Sequence, residues 1–327
     1  MAMESKSVLV AKLNKIVGHS TEGELYFLLE DERLLIKKGD LDEQTQAVMT
    51  KEFINHTKQY LSQEEISIMG LSLADDRKDV LYHYDYEDRI PEVDYITSVQ
   101  QNVLSDSYNF KHDDISKMKG YVFAFVDEDT RITLYKEHYP IMVMKKEAGE
   151  TLKDKINIKL TNSNKITEVD DDIFKLNFDF DFMIVDGELY VKNLKKLESK
   201  FGFIKVLEKK ANESVDTIDL LEIVEDISYL RNDITDASFA RKIVKVASKS
   251  IVLQKCNKED IIKFINESND IIKNKFKFDE SGNLLDLKTK KARKAFITLL
   301  DDSFLYSKLT DHDYLSGAKD DLSSHEI

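Results

Sequence analysis

The sequence predicts an α+β protein, with an acidic, sheet-rich N-terminal unit followed by a hairpin-plus-helical C-terminal unit. Three observations carry this. Runs rich in β-branched and aromatic residues recur between charged connections up to Met144. From Phe178 to Val191 two strand-like runs flank Asp186-Gly187, the dipeptide of a tight hairpin turn. From Asn193 onward, apolar residues recur with helical rather than strand periodicity.

Taken in order, Leu25 to Leu29 and Leu34 to Ile36 read as strands around a charged turn. Residues 51–61 read as a helix with Phe53, Ile54, Thr57 and Leu61 on one side. Four further strands are expected at Val80 to Tyr86, Tyr121 to Val126, Arg131 to Tyr135 and Ile141 to Met144. Asp127 to Thr130 supplies a hairpin loop between two of them, and the alternating Tyr82, Tyr84 and Tyr86 form a packing face. Only Pro91 and Pro140 punctuate the chain, so boundaries must be read from polar runs. Those runs place a transition near residue 150, giving a docking or assembly domain over 1–150 and a second domain over 151–327, with a short strand at Ile156 to Leu160.

In the hairpin, Phe178, Phe180 and Phe182 alternate with Asp179 and Asp181, which predicts a buried aromatic face and a wet acidic one. Asn193 then stands where a helix cap belongs, and Leu194, Leu197 and Phe201 form a stripe that leaves Lys195, Lys196 and Lys200 outside. Around 240–251, Ala240, Ile243, Val244, Ala247 and Ile251 share one side, with Arg241, Lys242, Lys245 and Lys249 on the other. A helix from Asn257 to about Phe276 has a cap and acids in its first turn, with a stripe that includes Ile261, Phe264, Ile265, Ile271 and Ile272. After a short strand and turn, a helix over 287–300 sets Lys290, Lys291, Arg293 and Lys294 apart from Ala292, Ala295, Phe296 and Leu299.

Composition narrows the function. Hydrophobic residues at 42% and charged residues at 34% describe a globular chain with room for two cores. The single Cys256 permits no internal disulfide and suits a reducing cytosol. No signal-peptide core is evident, and no run reaches the roughly 18 apolar residues of a membrane span, so action at a membrane requires a partner. A net charge of -14 opposes indiscriminate binding to nucleic acid. That charge is uneven: Val191 to Lys294 holds 23 Lys and Arg against 17 Asp and Glu, leaving 25 against 45 elsewhere.

Basic faces on three amphipathic helices are therefore the leading functional signal. Lys195, Lys196, Lys200, Arg241, Lys242, Lys245, Lys249, Lys290, Lys291, Arg293 and Lys294 are the residues expected to touch a nucleic-acid backbone. No helix-turn-helix, zinc-finger spacing or RNA-recognition motif accompanies them, so backbone binding without base readout is expected. Asp179, Asp181, Asp186, Glu188 and Lys192 crowd one hairpin, and carboxylates of that kind can hold Mg²⁺ for phosphodiester cleavage. Glu188 and Lys192, however, stand four apart rather than two, and Asp179, Asp181 and Asp186 are explained by the strand and its turn. The seven histidines are dispersed, Asp170 to Asp172 lacks the spacing and glycine of a calcium loop, and no phosphate-binding loop appears. No cofactor or metal is predicted.

The Asp-Phe hairpin, the return strand from Asp186 to Val191, the Leu197 to Phe201 helix and the closing run from Leu300 to Thr310 resemble the KwaB family of the Kiwa anti-phage defence system, over roughly residues 120–320. That resemblance implies a cytoplasmic DNA-binding effector working beside KwaA, a small integral membrane protein that would recruit it to the inner face of the cell membrane. The reading from sequence is thus a non-catalytic protein that binds double-stranded DNA, with its acidic unit docking the membrane partner or a second copy in a homo-oligomer. A Mg²⁺-dependent nuclease built on Asp179, Asp181 and Glu188 is one alternative, and an adaptor that touches no nucleic acid is another.

Overall fold

A computed structural model describes residues 4–18, 22–31, 34–75, 77–104, 106–109, 112–126, 130–137, 143–144, 158–160, 166–168, 173–317 and 319. Along the chain the elements are α1 (Lys6–Gly18), β1 (Glu24–Glu30), β2 (Leu34–Lys38), α2 (Glu43–Leu61), β3 (Ser67–Gly70), β4 (Val80–His83), α3 (Pro91–Thr97) and α4 (Val99–Asn102). Strands β5 (Met118–Val126), β6 (Arg131–Glu137), β7 (Val143–Met144), β8 (Ile158–Leu160), β9 (Ile166–Glu168), β10 (Ile173–Phe174), β11 (Phe182–Val185) and β12 (Glu188–Val191) follow. The remainder is α5 (Leu194–Lys200), α6 (Phe203–Asp219), α7 (Ser228–Arg231), α8 (Ala237–Lys249), α9 (Ile251–Lys255), α10 (Lys258–Glu267), α11 (Asp270–Lys273), α12 (Lys290–Leu300), β13 (Phe304–Ser307) and β14 (His312–Leu315). The α+β class holds, with the long strands early and most helices late. The boundary near residue 150, the Asp127 to Asp129 part of the hairpin loop and the Asp170 to Asp172 run lie outside the described residues.

The chain packs as two compact units, each assembled from separate stretches: Val10–Leu61 with Ile96–Gly187, and Met1–Leu9 with Ser62–Tyr95 and Glu188–Ile327. In the first, β2, β1, β5, β6 and β11 lie side by side in that order, every pair antiparallel. A register shift at Leu28 and Leu29 marks a bulge against β5. Helix α2 buries the expected stripe, Phe53, Ile54, Thr57 and Leu61, together with Met49, and extends back to Glu43. The Phe53 ring stacks on Phe123 at 4.4 Å and receives the edge of Phe178 at 5.1 Å.

The run Phe178 to Phe182 departs from the expected strand, because β11 begins only at Phe182. Phe180 and Phe182 are buried, but so is Asp181, at 2% exposure, where a wet face was expected. Its N–H donates to Tyr135 O at 2.8 Å, while its carboxylate accepts from Glu137 N at 2.9 Å and lies 3.4 Å from the Lys136 ammonium. A buried carboxylate is tolerable only with such partners. At the end of β11 the turn is as read: Asp186 and Gly187 both take positive φ, 51° and 90°.

In the second unit, β12 pairs antiparallel with β4, and β4 pairs in parallel with β3. Strand β4 stops at His83, so Tyr84 and Tyr86 lie beyond it, each ring edge-on to Phe203. Helix α6 buries Phe203, Leu207, Ala211, Val215 and Ile218 and packs against α8, whose core face is Phe239, Ala240, Ile243, Val244 and Val246. Side chains start most of these helices: Asp236 caps α8, Ser250 caps α9, Asn257 and Asp260 form a reciprocal capping box on α10, and Thr289 caps α12.

Those caps also break two helices that periodicity alone runs together. Ser250 ends α8 and starts α9, which leaves Ile251 39% exposed instead of in the core. Asn269 likewise separates α10 from α11, and Phe264 and Ile271 face outward while Ile261, Ile265 and Ile272 stay buried. At α5, Asn193 holds the cap position but its side chain makes no capping bond.

Candidate nucleic-acid interface

The candidate cations come from α5, α8 and α12, all within the second unit. Helices α8 and α12 pack together. Where they meet, Lys242 and Lys294 line one cleft of about 220 Å³ with Ser238, Thr298, Asp236, Phe239 and Ile297. Helical geometry explains the grouping: Ser238 and Lys242 are i and i+4 on α8, and Lys294 and Thr298 are i and i+4 on α12. Each helix thus lines the same space with one lysine and one hydroxyl-bearing residue. The Thr298 hydroxyl donates to Lys294 O at 2.7 Å.

Asp236 sets the electrostatics at the rim. Burial pushes its carboxyl up, but hydrogen bonds from Phe239 N and Ser238 N and the Lys290 ammonium at 3.6 Å outweigh this and hold it below the ordinary carboxylate range. Its charge is therefore committed to the α8 N-terminus and to Lys290. Lys291 and Lys249 are exposed. On α5, Lys195 and Lys200 are exposed and Lys196 is half-buried.

Among the described residues, Arg293, Arg241 and Lys245 are drawn into ion pairs within the fold. Arg293 is buried at 8% exposure, with Nε 2.6 Å from Asp233 and Nη1 donating to Leu287 O and Lys288 O at 3.0 and 2.9 Å. It sits among the packed residues of α12, so the expectation that all four cations avoid that side holds for Lys290, Lys291 and Lys294 only. Arg241 bonds to Glu198 of α5, whose carboxyl is pushed up by burial in spite of that guanidinium. Lys245 lies 3.1 Å from Asp301 and 3.9 Å from Asp75. A half-buried cation needs such a counterion, and each counterion stands far away in the chain, where local pattern gives no sign of it. Ser238 and Thr298 were missed too, although their i, i+4 spacing from Lys242 and Lys294 is readable in the sequence.

The acidic hairpin residues are likewise engaged. Lys136 lies 3.0 Å from Asp179 and 3.4 Å from Asp181. Asp186 bonds the Lys12 ammonium at 2.6 Å and Arg131 N at 2.8 Å. Glu188 lies 2.8 Å from His83 Nε2, and Lys192 is half-buried. Among the described residues, no group of three or more His, Cys, Asp or Glu side chains is placed to hold a metal ion. Nor is any helix among them long and apolar enough to cross a membrane.

The family described as Kiwa protein KwaB-like matches residues 115–310. Over 272 residues the chain is 29% identical to the Kiwa protein KwaB of Escherichia coli O55:H7 (strain RM12579 / EPEC), across 83% of this chain and 84% of that protein. No solved structure matches. The matched segment contains α5, α8 and α12, and with them every candidate cation.

Proposed function

From the premise that the chain belongs to the Kiwa KwaB-like family, we propose that it is a non-catalytic effector of anti-phage defence that grips the phosphate backbone of double-stranded DNA. The observation that carries this reading is the shared cleft of Lys242 and Lys294, with Ser238 and Thr298 beside them. Two lysines from adjacent helices, with the Ser238 hydroxyl beside them, suit a phosphate diester, whose two non-bridging oxygens share one negative charge and carry no sequence information. Lys290, Lys291 and Lys249, with Lys195, Lys196 and Lys200, would extend the grip along the backbone. Neutralising about six phosphates releases enough counterions to overcome an unfavourable net charge at moderate salt.

Bound DNA would be withheld from the machinery that copies and transcribes it, with no bond broken. A membrane partner, KwaA in the Kiwa system, would bring this chain to the inner face of the cell membrane, and self-association would multiply the weak phosphate interactions. The nuclease alternative asks Asp179, Asp181 and Glu188 to leave Lys136 and His83 for a metal ion. Incubating the protein with double-stranded DNA, with and without Mg²⁺, separates the readings. A shift with intact strands supports the effector, Mg²⁺-dependent fragments support the nuclease, and neither outcome even at low salt leaves the adaptor.

A further inference from the structure

The cleft that Lys242 and Lys294 share has a third charged residue in its lining, Asp236. Its carboxylate accepts from Ser238 N at 3.2 Å and from Phe239 N at 3.4 Å, which fixes it at the start of α8 and keeps it from swinging aside when an anion enters. Burial raises its pKa, but these bonds and the Lys290 ammonium outweigh that, so the carboxyl stays ionised at neutral pH. An uncharged Ser, Thr or Asn would cap the helix as well, so the cap itself does not require the charge.

The lining therefore holds two lysines and one aspartate, a formal charge of one positive unit. Lys290 offsets Asp236 only in part, because the two side chains are 54% and 40% exposed, and a pair so open to water attracts weakly. A phosphate diester carries one negative charge, whereas a terminal phosphate carries close to two. The rest of the lining favours the diester independently of charge. Phe239 and Ile297 are apolar, and they suit an ester carbon better than a third anionic oxygen.

We propose that Asp236 is a specificity-determining residue, through which the cleft selects the internal diesters of a nucleic-acid strand over terminal phosphates and free nucleotides. The proposal rests on the reading of this cleft as a phosphate site. The two lysines attract any phosphate, and the fixed carboxylate penalises the second negative charge.

Competition for a fluorescently labelled DNA duplex, followed by anisotropy on the full chain, tests this. The competitors are thymidine 5′-phosphate and its methyl ester, which differ by one methyl group and, at about pH 8, by about one charge. The ester should displace the duplex at the lower concentration, whereas attraction to lysines alone favours the dianion. In Asp236→Asn, which keeps a capping oxygen, the ratio should shift toward the monoester by about threefold or more. Asp236→Ser gives the same reading if the amide variant fails to fold. Glu259→Gln, which removes an exposed acid on α10, should keep the ratio of the parent. A monoester that competes better in the parent, displacement by neither compound, or the parent's ratio in Asp236→Asn would overturn this inference while leaving duplex binding in place. A parent that binds no duplex at low salt would instead overturn the phosphate reading, and this inference with it.

Discussion

The Arg293 guanidinium lies 2.6 Å from the Asp233 carboxylate, and both side chains are nearly closed off from water, at 10% and 11% exposure. On the same helix Lys291 and Lys294 stand in solvent. One turn of α12 thus carries both a cation that holds the fold and cations that can meet a phosphate.

Replacing Arg293 with Ala should cost about 3–5 kcal/mol, because removing one partner leaves the other charge buried and uncompensated. Lys291→Glu should change stability by no more than about 0.5 kcal/mol. Urea denaturation of the two variants checks the contrast. Equal midpoints would show that the Asp233 pair contributes nothing.

Asp181→Ala should destabilise by less, about 1–3 kcal/mol, since it leaves Glu137 N without its acceptor while Lys136 keeps Asp179 at 3.0 Å. The effect should appear as a lower melting temperature in the absence of both DNA and Mg²⁺. A variant that melts with the parent would free Asp181 for another role.

The capping box of α10 gives a smaller, local prediction. Asn257→Ala removes the acceptor for Asp260 N at 2.9 Å and should cost about 1 kcal/mol. Hydrogen exchange should quicken in Lys258–Glu267 and not in α12.

How far the sequence was legible follows from these cases. The α2 stripe, the Asp186-Gly187 turn and the α10 cap are fixed by neighbours within a few residues, and each stands where pattern places it. Burial of Arg293 and Asp181 depends on Asp233 and Lys136, brought near only by the tertiary fold. Periodicity ran α8 on to Ile251 because it weighs apolar spacing and not the Ser250 hydroxyl, which accepts from Leu253 N at 3.0 Å. For the cationic face, the helices and their exposed lysines were readable; the cations consumed internally, and the meeting of Lys242 with Lys294, were not.

Asp279 supplies a pH test. The Ser281 hydroxyl, then Leu284 N and Asn283 N, donate to its carboxylate and lower its pKa to about 2 from the ordinary 3.8. A carboxyl depressed on folding contributes stability that is present above the unfolded value and lost as pH falls toward the folded one. Stability should therefore decline between about pH 4 and 2 more steeply in the parent than in Asp279→Asn, measured by urea unfolding. Parallel curves would contradict this.

The most direct measurement is a mobility shift of double-stranded DNA across a salt series, comparing the parent with a Lys242→Glu, Lys294→Glu variant. The parent should shift intact DNA with an affinity that falls steeply with salt. The variant should bind more weakly, with a slope smaller by about 2 in log-log terms, roughly 0.9 for each phosphate no longer neutralised. The same affinity and slope in both proteins, or no shift at the lowest salt, would contradict the account.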